Sequence, residues 1–408
     1  MRYIIYIVWL VILTQGCSSE TAELDISDNY PPVLLTKETS YIAGDNITLR
    51  FKANQNTRGV LVVKNALGSS LIEPVVKDSI LEFQIPASYS QKSGLSHWEF
   101  VTAKENPISG NLQIAPNTEK TTLIESYLGP RSIIAGNIDY SMFIIVPTDM
   151  FDNTFTNGTE VTVKHQFEDT ISQNIIEIEN LVAWTKIGTS EKAGRLLVTA
   201  SCNTTDSKEL TSLVYPSNAI DFTISSKRDH QYADGNQIIS FSSSVITDQF
   251  NNTISDGTLV TFIIADKAGN LLQTSGITIN GIANAKLLHP VKEERWQITA
   301  YITGVAKSNT LTIDFKAAVK DYPVTFSDEN RTLFVGPIKS FMNQNIPDGL
   351  EIQLLIYNSQ NKLLETKITT SRNGLAKFEL SLDFFANGHY NLNINSAGIT
   401  KNITVDLK

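Results

Sequence analysis

One nine-residue segment gathers the residue types that do acid–base and metal chemistry. Residues 227–235 read KRDHQYADG, with two bases, two carboxylates, a histidine and a tyrosine in close succession. The segment could supply a general acid/base group. Its carboxylates, with backbone carbonyls, could instead bind Ca²⁺ at a domain junction. Charged residues next to a glycine are also typical of a solvated loop, and a solvated loop is what we expect here.

Three aspartates in a repeated turn form a second possible Ca²⁺ site. Asp149 and Asp152 lie in TDMFDN, and Asp248 lies in TDQFNN. Carboxylate oxygens are suitable Ca²⁺ ligands. Asp and Asn side chains also hydrogen-bond nearby backbone and thereby close turns. We expect turn closure rather than cation binding.

The motifs of common enzyme classes are missing from the sequence. It contains no G-x-S-x-G, H-E-x-x-H, P-loop or C-x-x-C motif. The histidines lie in different repeats or far apart in the chain, at positions 97, 165, 230, 289 and 389. We therefore predict a non-catalytic protein that needs no cofactor or metal, and we expect no histidine-based metal site.

The N-terminus predicts export and lipid attachment at Cys17. Residues 4–13 are an unbroken apolar run, which is shorter than the roughly 20 residues that span a bilayer and suits a secretion signal. The residues before Cys17 resemble a bacterial lipoprotein signal of the looser kind common in Bacteroidetes, with Thr14 where Leu is usual. The resemblance implies a signal peptide at 1–16 and a lipid on Cys17. The residues at 17–30 are mostly polar, and we expect them to form a tether. An uncleaved N-terminal anchor is the alternative.

The second cysteine, Cys202, has no partner for an intrachain disulfide once Cys17 carries lipid. It ends the segment LLVTASC, in which apolar residues alternate onto one face. We expect a small buried side chain rather than a reactive thiol, because no basic residue is adjacent.

Alternating apolar and polar residues predict strands along the rest of the chain. Segments rich in Ile, Val, Thr, Phe and Tyr recur with period two, as in ITLRF, LVTFII and LEIQLLIY. Gly, Asn and Asp separate them at intervals of about 8 to 12 residues, which is typical of β-sandwiches. The chain is predicted to be all-β.

The strand pattern repeats about every hundred residues. TDMFDNTFTNGTEVTV at 148–163 and TDQFNNTISDGTLVTF at 247–262 are offset by 247 − 148 = 99 residues. Such periodicity indicates a tandem array of domains. Three landmarks set the register: a Gly before an early strand (Gly44, Gly136, Gly235, Gly336), an Asx-Gly turn (Asn157-Gly158, Asp256-Gly257, Asp348-Gly349) and an Asn three residues before an Ala (Asn180, Asn280, Asn373).

Repeated aromatic residues are predicted to belong to the cores. Phe151 and Phe250 lie inside the repeated turn, where we expect each to cap the end of its own sandwich. Trp98 and Trp296 occupy equivalent late strands and are expected to be buried rather than ligand-binding.

The combined motifs resemble two known families. Three motifs carry the first resemblance: the turn D-x-F-x-N, the segment N-G-x-A and the late-strand segment W-x-I-T-A-x-x-x-G. Together they are similar to the immunoglobulin-like repeats of invasin and intimin, best over residues 217–316. The last repeat also resembles the macroglobulin-like domains of bacterial α2-macroglobulins, through its PDG turn and Gly388-His389-Tyr390. Both resemblances imply seven-stranded sandwiches. They rest on turn and core residues, so no functional residue is carried over.

The expected organisation is four tandem immunoglobulin-like β-sandwich domains that form an elongated rod. We predict the domains at 31–115, 116–216, 217–316 and 317–408, the first divergent and the last shortened. Short linkers with proline favour a semi-rigid array, and four sandwiches end to end would reach on the order of 120–150 Å.

These features predict a non-catalytic lipoprotein of the outer membrane, at the cell surface or on the periplasmic face. It would bind membrane lipid through Cys17 and display its domains for adhesion or for binding a protein or glycan partner. The formal net charge is −9, and no cluster of Lys and Arg offers a nucleic-acid surface. The alternative function is a scaffold or spacer in an envelope assembly for secretion or polysaccharide uptake. A macroglobulin-type enzyme or inhibitor is a third possibility.

Overall fold

The computed structural model describes residues 31–54, 56–103 and 106–408. Four hydrophobic cores follow one another along the chain, each enclosed by its own strands. The predicted all-β tandem array is thus confirmed. The signal, Cys17 and the tether lie outside the described residues, and the domain boundaries stay predictions. Within the described ranges, no helix has the length and apolar character needed to cross a membrane.

The first sandwich packs an aromatic core between two sheets. Its elements are β1 (Val33–Leu34), β2 (Ser40–Ile42), β3 (Thr48–Lys52), β4 (Gly59–Asn65), β5 (Gly68–Ile72), β6 (Val75–Lys77), β7 (Ile80–Gln84), α1 (Ala87–Ser90), β8 (Gly94–Thr102) and β9 (Ile108–Ala115). The sheets have the orders β1-β3-β7-β6 and β2-β9-β8-β4-β5. Trp98 is buried and meets Phe51 edge-on at 5.6 Å between ring centroids, which confirms its predicted core position.

The second sandwich has the same plan. Its strands are β10 (Leu123–Gly129), β11 (Ser132–Ile134), β12 (Tyr140–Thr148), β13 (Glu160–Phe167), β14 (Thr170–Glu177), β15 (Ala183–Gly188), β16 (Gly194–Cys202), β17 (Thr205–Asp206) and β18 (Leu210–Tyr215). They form sheets of order β10-β12-β15 and β11-β18-β16-β13-β14, and β17 pairs with β16. Cys202 is buried as predicted, and burial raises the pKa of its thiol.

The third sandwich joins its two sheets through one long strand. Its strands are β19 (Ile224–Lys227), β20 (Tyr232–Ala233), β21 (Ile238–Ser243), β22 (Leu259–Ala265), β23 (Leu271–Ile279), β24 (Ile282–Leu288), β25 (Glu294–Ile302), β26 (Ala306–Lys307) and β27 (Leu311–Ala317). Strand β23 pairs with β22 over most of its length and with β24 at its end. Trp296 is buried beside Phe315, as predicted.

The fourth sandwich differs at its beginning. Its strands are β28 (Val324–Ser327), β29 (Thr332–Val335), β30 (Glu351–Asn358), β31 (Leu363–Thr370), β32 (Ala376–Glu379), β33 (Gly388–Ser396) and β34 (Ile399–Leu407). Their orders are β28-β29-β32 and β31-β30-β33-β34. In the first three sandwiches a short strand before the landmark glycine pairs in parallel with the last strand.

The landmark assigned to Gly336 was wrong. Strand β29 pairs with β32 as β21 pairs with β24, so β29 and β21 are equivalent strands. Gly336 follows β29, whereas Gly235 precedes β21. Similar spacing alone placed it in the wrong register, because the fourth repeat is shorter at this point.

The other two landmarks bond to each other in each of the last three sandwiches. The backbone N–H of Asn180 donates to Oδ1 of Asn157, and Asn280 and Asn373 donate in the same way to Asp256 and Asp348. All three donor residues have positive φ. The repeat therefore preserves a turn-to-turn bond that fixes where two strands enter the sandwich.

Candidate functional site

The repeated aromatic residue crosses the boundary between the first two sandwiches. The ring of Phe151 packs against the core of the preceding sandwich. A Cβ placed on Gly44 would come within 2.7 Å of that ring. At the next boundary, a Cβ placed on Gly136 would come within 3.2 Å of the ring of Phe250. The prediction that these rings cap their own sandwiches was wrong, because the turn that holds them projects towards the previous domain.

Hydrogen bonds from the same turn fasten the first junction. Nδ2 of Asn153 donates to the carbonyl of Gln91 at 2.7 Å, and Oδ1 of Asn153 accepts from the N–H of Ser93 at 2.9 Å. The linker is held as well, since Asn117 donates its N–H to Oδ2 of Asp149 at 2.9 Å. One turn thus binds both the preceding domain and the segment that connects the two.

The second junction reproduces these contacts. Nδ2 of Asn252 donates to the carbonyl of Glu191 at 2.7 Å, and Oδ1 of Asn252 accepts from the N–H of Ala193 at 2.9 Å. The linker residue Ser217 donates its N–H to Oδ2 of Asp248 at 2.8 Å. We call this arrangement of turn, linker and preceding loop the junction clasp.

The clasp aspartates are fully buried acceptors. Asp149 and Asp248 are each 0% exposed. Burial acts to raise the pKa of Asp248, but hydrogen bonds from Asn252, Ser217 and Phe250 together outweigh it and hold the pKa below its usual value. The pKa of Asp149 is lowered by the same balance. Hydrogen bonds therefore compensate the buried charge of both carboxylates.

The expected turn-closing role of these aspartates is confirmed. Oδ1 of Asp149 accepts the N–H groups of Phe151 and Asn153, and Asp248 makes the equivalent bonds. Asp152 has positive φ within the turn. The carboxylates of Asp149 and Asp248 are thus already engaged with backbone N–H groups.

The third junction replaces the clasp with an aromatic stack. Residues 339–345 form a turn of the same shape, with Ser340 donating its N–H to the carbonyl of Gln344. Ser340 stands where the clasp has its aspartate. The ring of Phe341 stacks on Tyr232 of the third sandwich, with centroids 3.6 Å apart and planes inclined by 10°.

Two histidines and an aspartate lie behind this stack. Nε2 of His230 is 3.3 Å from Oδ2 of Asp234, and Nδ1 of His289 is 3.7 Å from Oδ1 of the same carboxylate. The three residues could hold a metal ion by proximity. His230 and His289 are far apart in the chain, but they lie together in the fold because β24 ends beside the loop that carries His230.

The backbone around the cluster assigns its protons. The N–H of Tyr232 donates to Nδ1 of His230 at 3.1 Å, so the ring proton of neutral His230 is on Nε2 and points to Asp234. Nδ1 of His289 must donate to the carbonyl of Tyr232, 2.9 Å away. Burial, the largest effect, lowers the pKa of His289.

The proton position of His230 disfavours this residue as a metal ligand in the observed arrangement. A ligating histidine needs a lone pair on the coordinating nitrogen and normally donates its other N–H to an acceptor. His230 has the opposite arrangement, since its Nδ1 already accepts a backbone N–H. We interpret the cluster as a hydrogen-bonded support for Tyr232. Segment 227–235, expected to be a solvated loop, is partly structured: Tyr232 and Ala233 form β20, and the side chains of His230 and Asp234 are 24% and 12% exposed.

The comparisons with solved structures are as follows. FdeC, an Escherichia coli adhesin, has 12% identity over 70% of this chain and 96% of its own, with a TM-score of 0.47. Invasin, a bacterial integrin-binding protein, has 12% identity over 92% and 78%, with a TM-score of 0.44. The E. coli α2-macroglobulin has 9% identity over 92% and 29%, with a TM-score of 0.22. No protein-family model and no curated protein matches the chain in sequence.

Sequence reasoning missed the residues that contact the neighbouring domain. Asn153 and Asn252 stand at the same place in the repeated turn, but a turn motif does not show what lies opposite it. Phe341 has a weaker signal, because KSFMNQ at 339–344 keeps the length of TDQFNN but has Ser340 in place of the aspartate and Gln344 in place of the last asparagine. Only the folded chain brings His289 to His230.

Proposed function

We propose that the protein is a membrane-anchored, non-catalytic display protein, tethered by lipid on Cys17 and presenting a stiff row of immunoglobulin-like sandwiches to a binding partner. The junction clasp carries this proposal. Two successive domain boundaries share the same buried aspartate, the same cross-domain asparagine and the same fastened linker. Such repetition restricts hinge motion, and a stiff array suits a protein that must hold a binding surface away from a membrane.

The chemistry of the described residues agrees with a binding role. Cys202, the cysteine within the described ranges, is buried, and the pKa of its thiol is raised. A raised pKa lowers the fraction of reactive thiolate, which opposes a nucleophilic role. In the described ranges, no histidine hydrogen-bonds to a serine, threonine or cysteine side chain, as nucleophile activation would require. The surface of a sandwich array instead offers loops and strand edges for recognition.

Protease treatment of intact cells tests display on the surface. With an antibody against residues 317–408, we expect the band to disappear without lysis. A band that is cut only after the outer membrane is opened would contradict surface display and place the array in the periplasm. A Cys17→Ala variant should move from the membrane to the soluble fraction. Cys202→Ala, which removes a buried thiol far from the anchor, is the matched control and should stay with the membrane.

Exposed apolar residues on one sheet edge favour the scaffold alternative. Strand β14 is the last strand of its sheet, and its Ile171 and Ile175 are exposed. Natural proteins usually blunt or cover such edges, and a permanent neighbour in an envelope assembly would cover this one. Recovery of a stable complex of fixed stoichiometry after mild solubilisation, lost in Ile175→Lys, would support the scaffold. Recovery of free protein would support the display role.

A further inference from the structure

Three strands of the largest sheet in the fourth sandwich carry uncharged, mostly polar side chains over the middle of their outward face. Side chains alternate along a strand, and the buried Leu354 and Leu392 mark the inward face. Cross-strand pairing of β30, β33 and β34 places nine outward positions in three rows: Tyr357–Asn391–Thr404, Leu355–Asn393–Asn402 and Gln353–Asn395–Thr400. None of the nine is charged, and seven are amides or aliphatic hydroxyls. We call this surface the amide face.

Hydrogen bonds between side chains hold the amide face in place. Nδ2 of Asn393 donates to Oδ1 of Asn402 at 2.7 Å. The hydroxyl of Thr404 donates to Oδ1 of Asn391 at 2.8 Å, and that of Thr400 donates to Oδ1 of Asn395 at 2.6 Å. A side chain already fixed in one rotamer loses little further entropy when a ligand binds.

These bonds leave capacity for a ligand. An amide group offers two N–H donors and an oxygen with two lone pairs. The bond between Asn393 and Asn402 uses one donor of the first and one acceptor site of the second. The remaining donors and acceptors lie side by side on an exposed surface. A ligand with groups that donate and accept at once would match them.

The amide face borders a concavity of about 350 Å³ lined by Tyr357, Asn361, Asn391, Asn393, Asn402 and Thr404, among others. This volume is within the range of roughly 300–1,000 Å³ usual for small-molecule sites. The Tyr357 ring supplies an apolar surface at one end, and amides supply the polar groups. Polar side chains thus dominate this lining, whereas most small-molecule sites are mainly apolar, and a ligand rich in polar groups would match it.

The corresponding face of the third sandwich lacks this character. Both faces have a pair of ionisable side chains near one end, Arg295 with Asp314 in the third sandwich and His389 with Asp406 in the fourth. The outward positions of β25 and β27 include Gln297, Thr299 and Thr312 but no asparagine. The cluster of asparagines is thus a property of the fourth sandwich and not of the repeat.

We propose that the amide face binds a neutral saccharide, which rests on the proposed binding role and names its ligand class. Each sugar hydroxyl donates and accepts, as the free amide groups require, and the C–H surface of a pyranose ring fits against the Tyr357 ring. Nucleic acid would need Lys and Arg for its phosphates, and none lies among the nine positions. Protein interfaces are enriched in aromatic residues, Met and Arg, whereas Asn and Thr dominate here.

Affinity electrophoresis of the full mature protein through gels that contain dextran, mannan or galactan tests the proposal. We expect at least one of these neutral polysaccharides to retard it, with little change on raising the salt concentration. The double variant Asn393→Ala, Asn402→Ala should weaken retardation at least tenfold. The matched control is Gln297→Ala, Thr312→Ala, an exposed cross-strand pair on the third sandwich, and it should migrate like the unaltered protein.

Three results would overturn the proposal: no retardation in any of the gels, retardation abolished by salt, or equal weakening by both double variants. Asn402→Ala alone provides a milder test if the double variant unfolds, and a circular dichroism melt checks folding in each case. Protease treatment of cells does not depend on this face. A surface-exposed protein that ignores all three polysaccharides would overturn the saccharide and leave the display role standing.

Discussion

At the scale of single residues, two asparagines connect domains that the backbone alone would leave loosely linked. Asn153 and Asn252 each donate to one carbonyl and accept one N–H of the preceding domain. A typical intramolecular hydrogen bond contributes about 0.5–1.5 kcal/mol, and leaving a buried partner unmatched costs about 1–3 kcal/mol. The buried aspartate orients the asparagine by accepting from its Nδ2.

Replacing Asn252 by Ala should loosen the second junction. The N–H of Ala193 loses its acceptor, so its hydrogen exchange should become at least about tenfold faster, because roughly 1.4 kcal/mol corresponds to a factor of ten. Asn270→Ala is the matched control: Asn270 bonds to Asp266 in a similar turn but stays within its own exposed loop. Equal exchange at Ala193 in both variants would contradict a cross-domain role for Asn252.

The clasp should also weaken in acid. The pKa of Asp248 is lower in the folded protein than its ordinary value, so its contribution to stability is complete above the unfolded pKa, about 3.9 for Asp. That contribution is lost as the pH falls through the lower folded value. We expect Ala193 exchange, corrected for its intrinsic pH dependence, to be constant from pH 5 to 8 and to accelerate below about pH 4. An acceleration that persists unchanged in Asp248→Asn would show that another group is responsible.

At the scale of elements, the turn that begins TD-x-F and the strand that precedes Gly44 fit together only without a side chain at that glycine. Gly44 has φ of +93° and a Cβ there would meet the Phe151 ring. Turn and glycine belong to different domains and are about one hundred residues apart. Their repetition at Gly136 and Phe250 shows that the first two junctions share one recurring contact.

Gly44→Ala should therefore open the first junction, whereas Gly158→Ala should not. Both glycines have positive φ, so each alanine incurs about 1–2 kcal/mol of backbone strain. Only the Gly44 variant also displaces Phe151, since nothing lies within 4 Å of a Cβ at Gly158. We expect faster hydrogen exchange of the Ser93 N–H in Gly44→Ala alone. Similar acceleration in both variants would attribute the effect to strain rather than to contact across the junction.

At the scale of the whole molecule, contacts run from each sandwich to its neighbour in sequence. Two junctions have a buried charged clasp and the third an aromatic stack supported by His230 and His289. In arrays of this kind, stability is approximately the sum of unit and nearest-neighbour contributions. Each sandwich has its own core, so loss of one unit should affect mainly the adjacent junction.

Removal of residues 318–408 should leave the first three sandwiches folded, because β27 of the third sandwich ends at Ala317. The missing part contributes its own core and the Phe341 contact, but no hydrogen bond of the first two junctions. We expect the strand signal per residue and the Trp98 and Trp296 fluorescence to be retained in the truncated protein. Exchange should rise only around Tyr232, which loses its stacked ring. Cooperative loss of all structure would contradict a nearest-neighbour array.

Much of the architecture could be predicted from the sequence, because it depends on interactions between residues that are close together in the chain. Alternating residues such as those of β22 and β25 predict strands, and glycines and asparagines with positive φ predict turns. The buried positions of Trp98, Trp296 and Cys202 follow from the same alternation. The sequence repeat then predicts, without any knowledge of the tertiary structure, that one sandwich recurs along the chain.

Contacts between distant residues required the tertiary structure. Nothing local shows that Phe151 leaves its own sandwich, or that Asn252 reaches Glu191, because the partner surfaces are formed by backbone groups of another domain. The amide face likewise appears only when β30, β33 and β34 pair and bring Asn393 beside Asn402. The sequence determined the repeating unit through turn and strand preferences, which act over a few residues. The tertiary structure decided how the units join and which side chains share a surface, because these depend on register and packing between segments far apart in the chain.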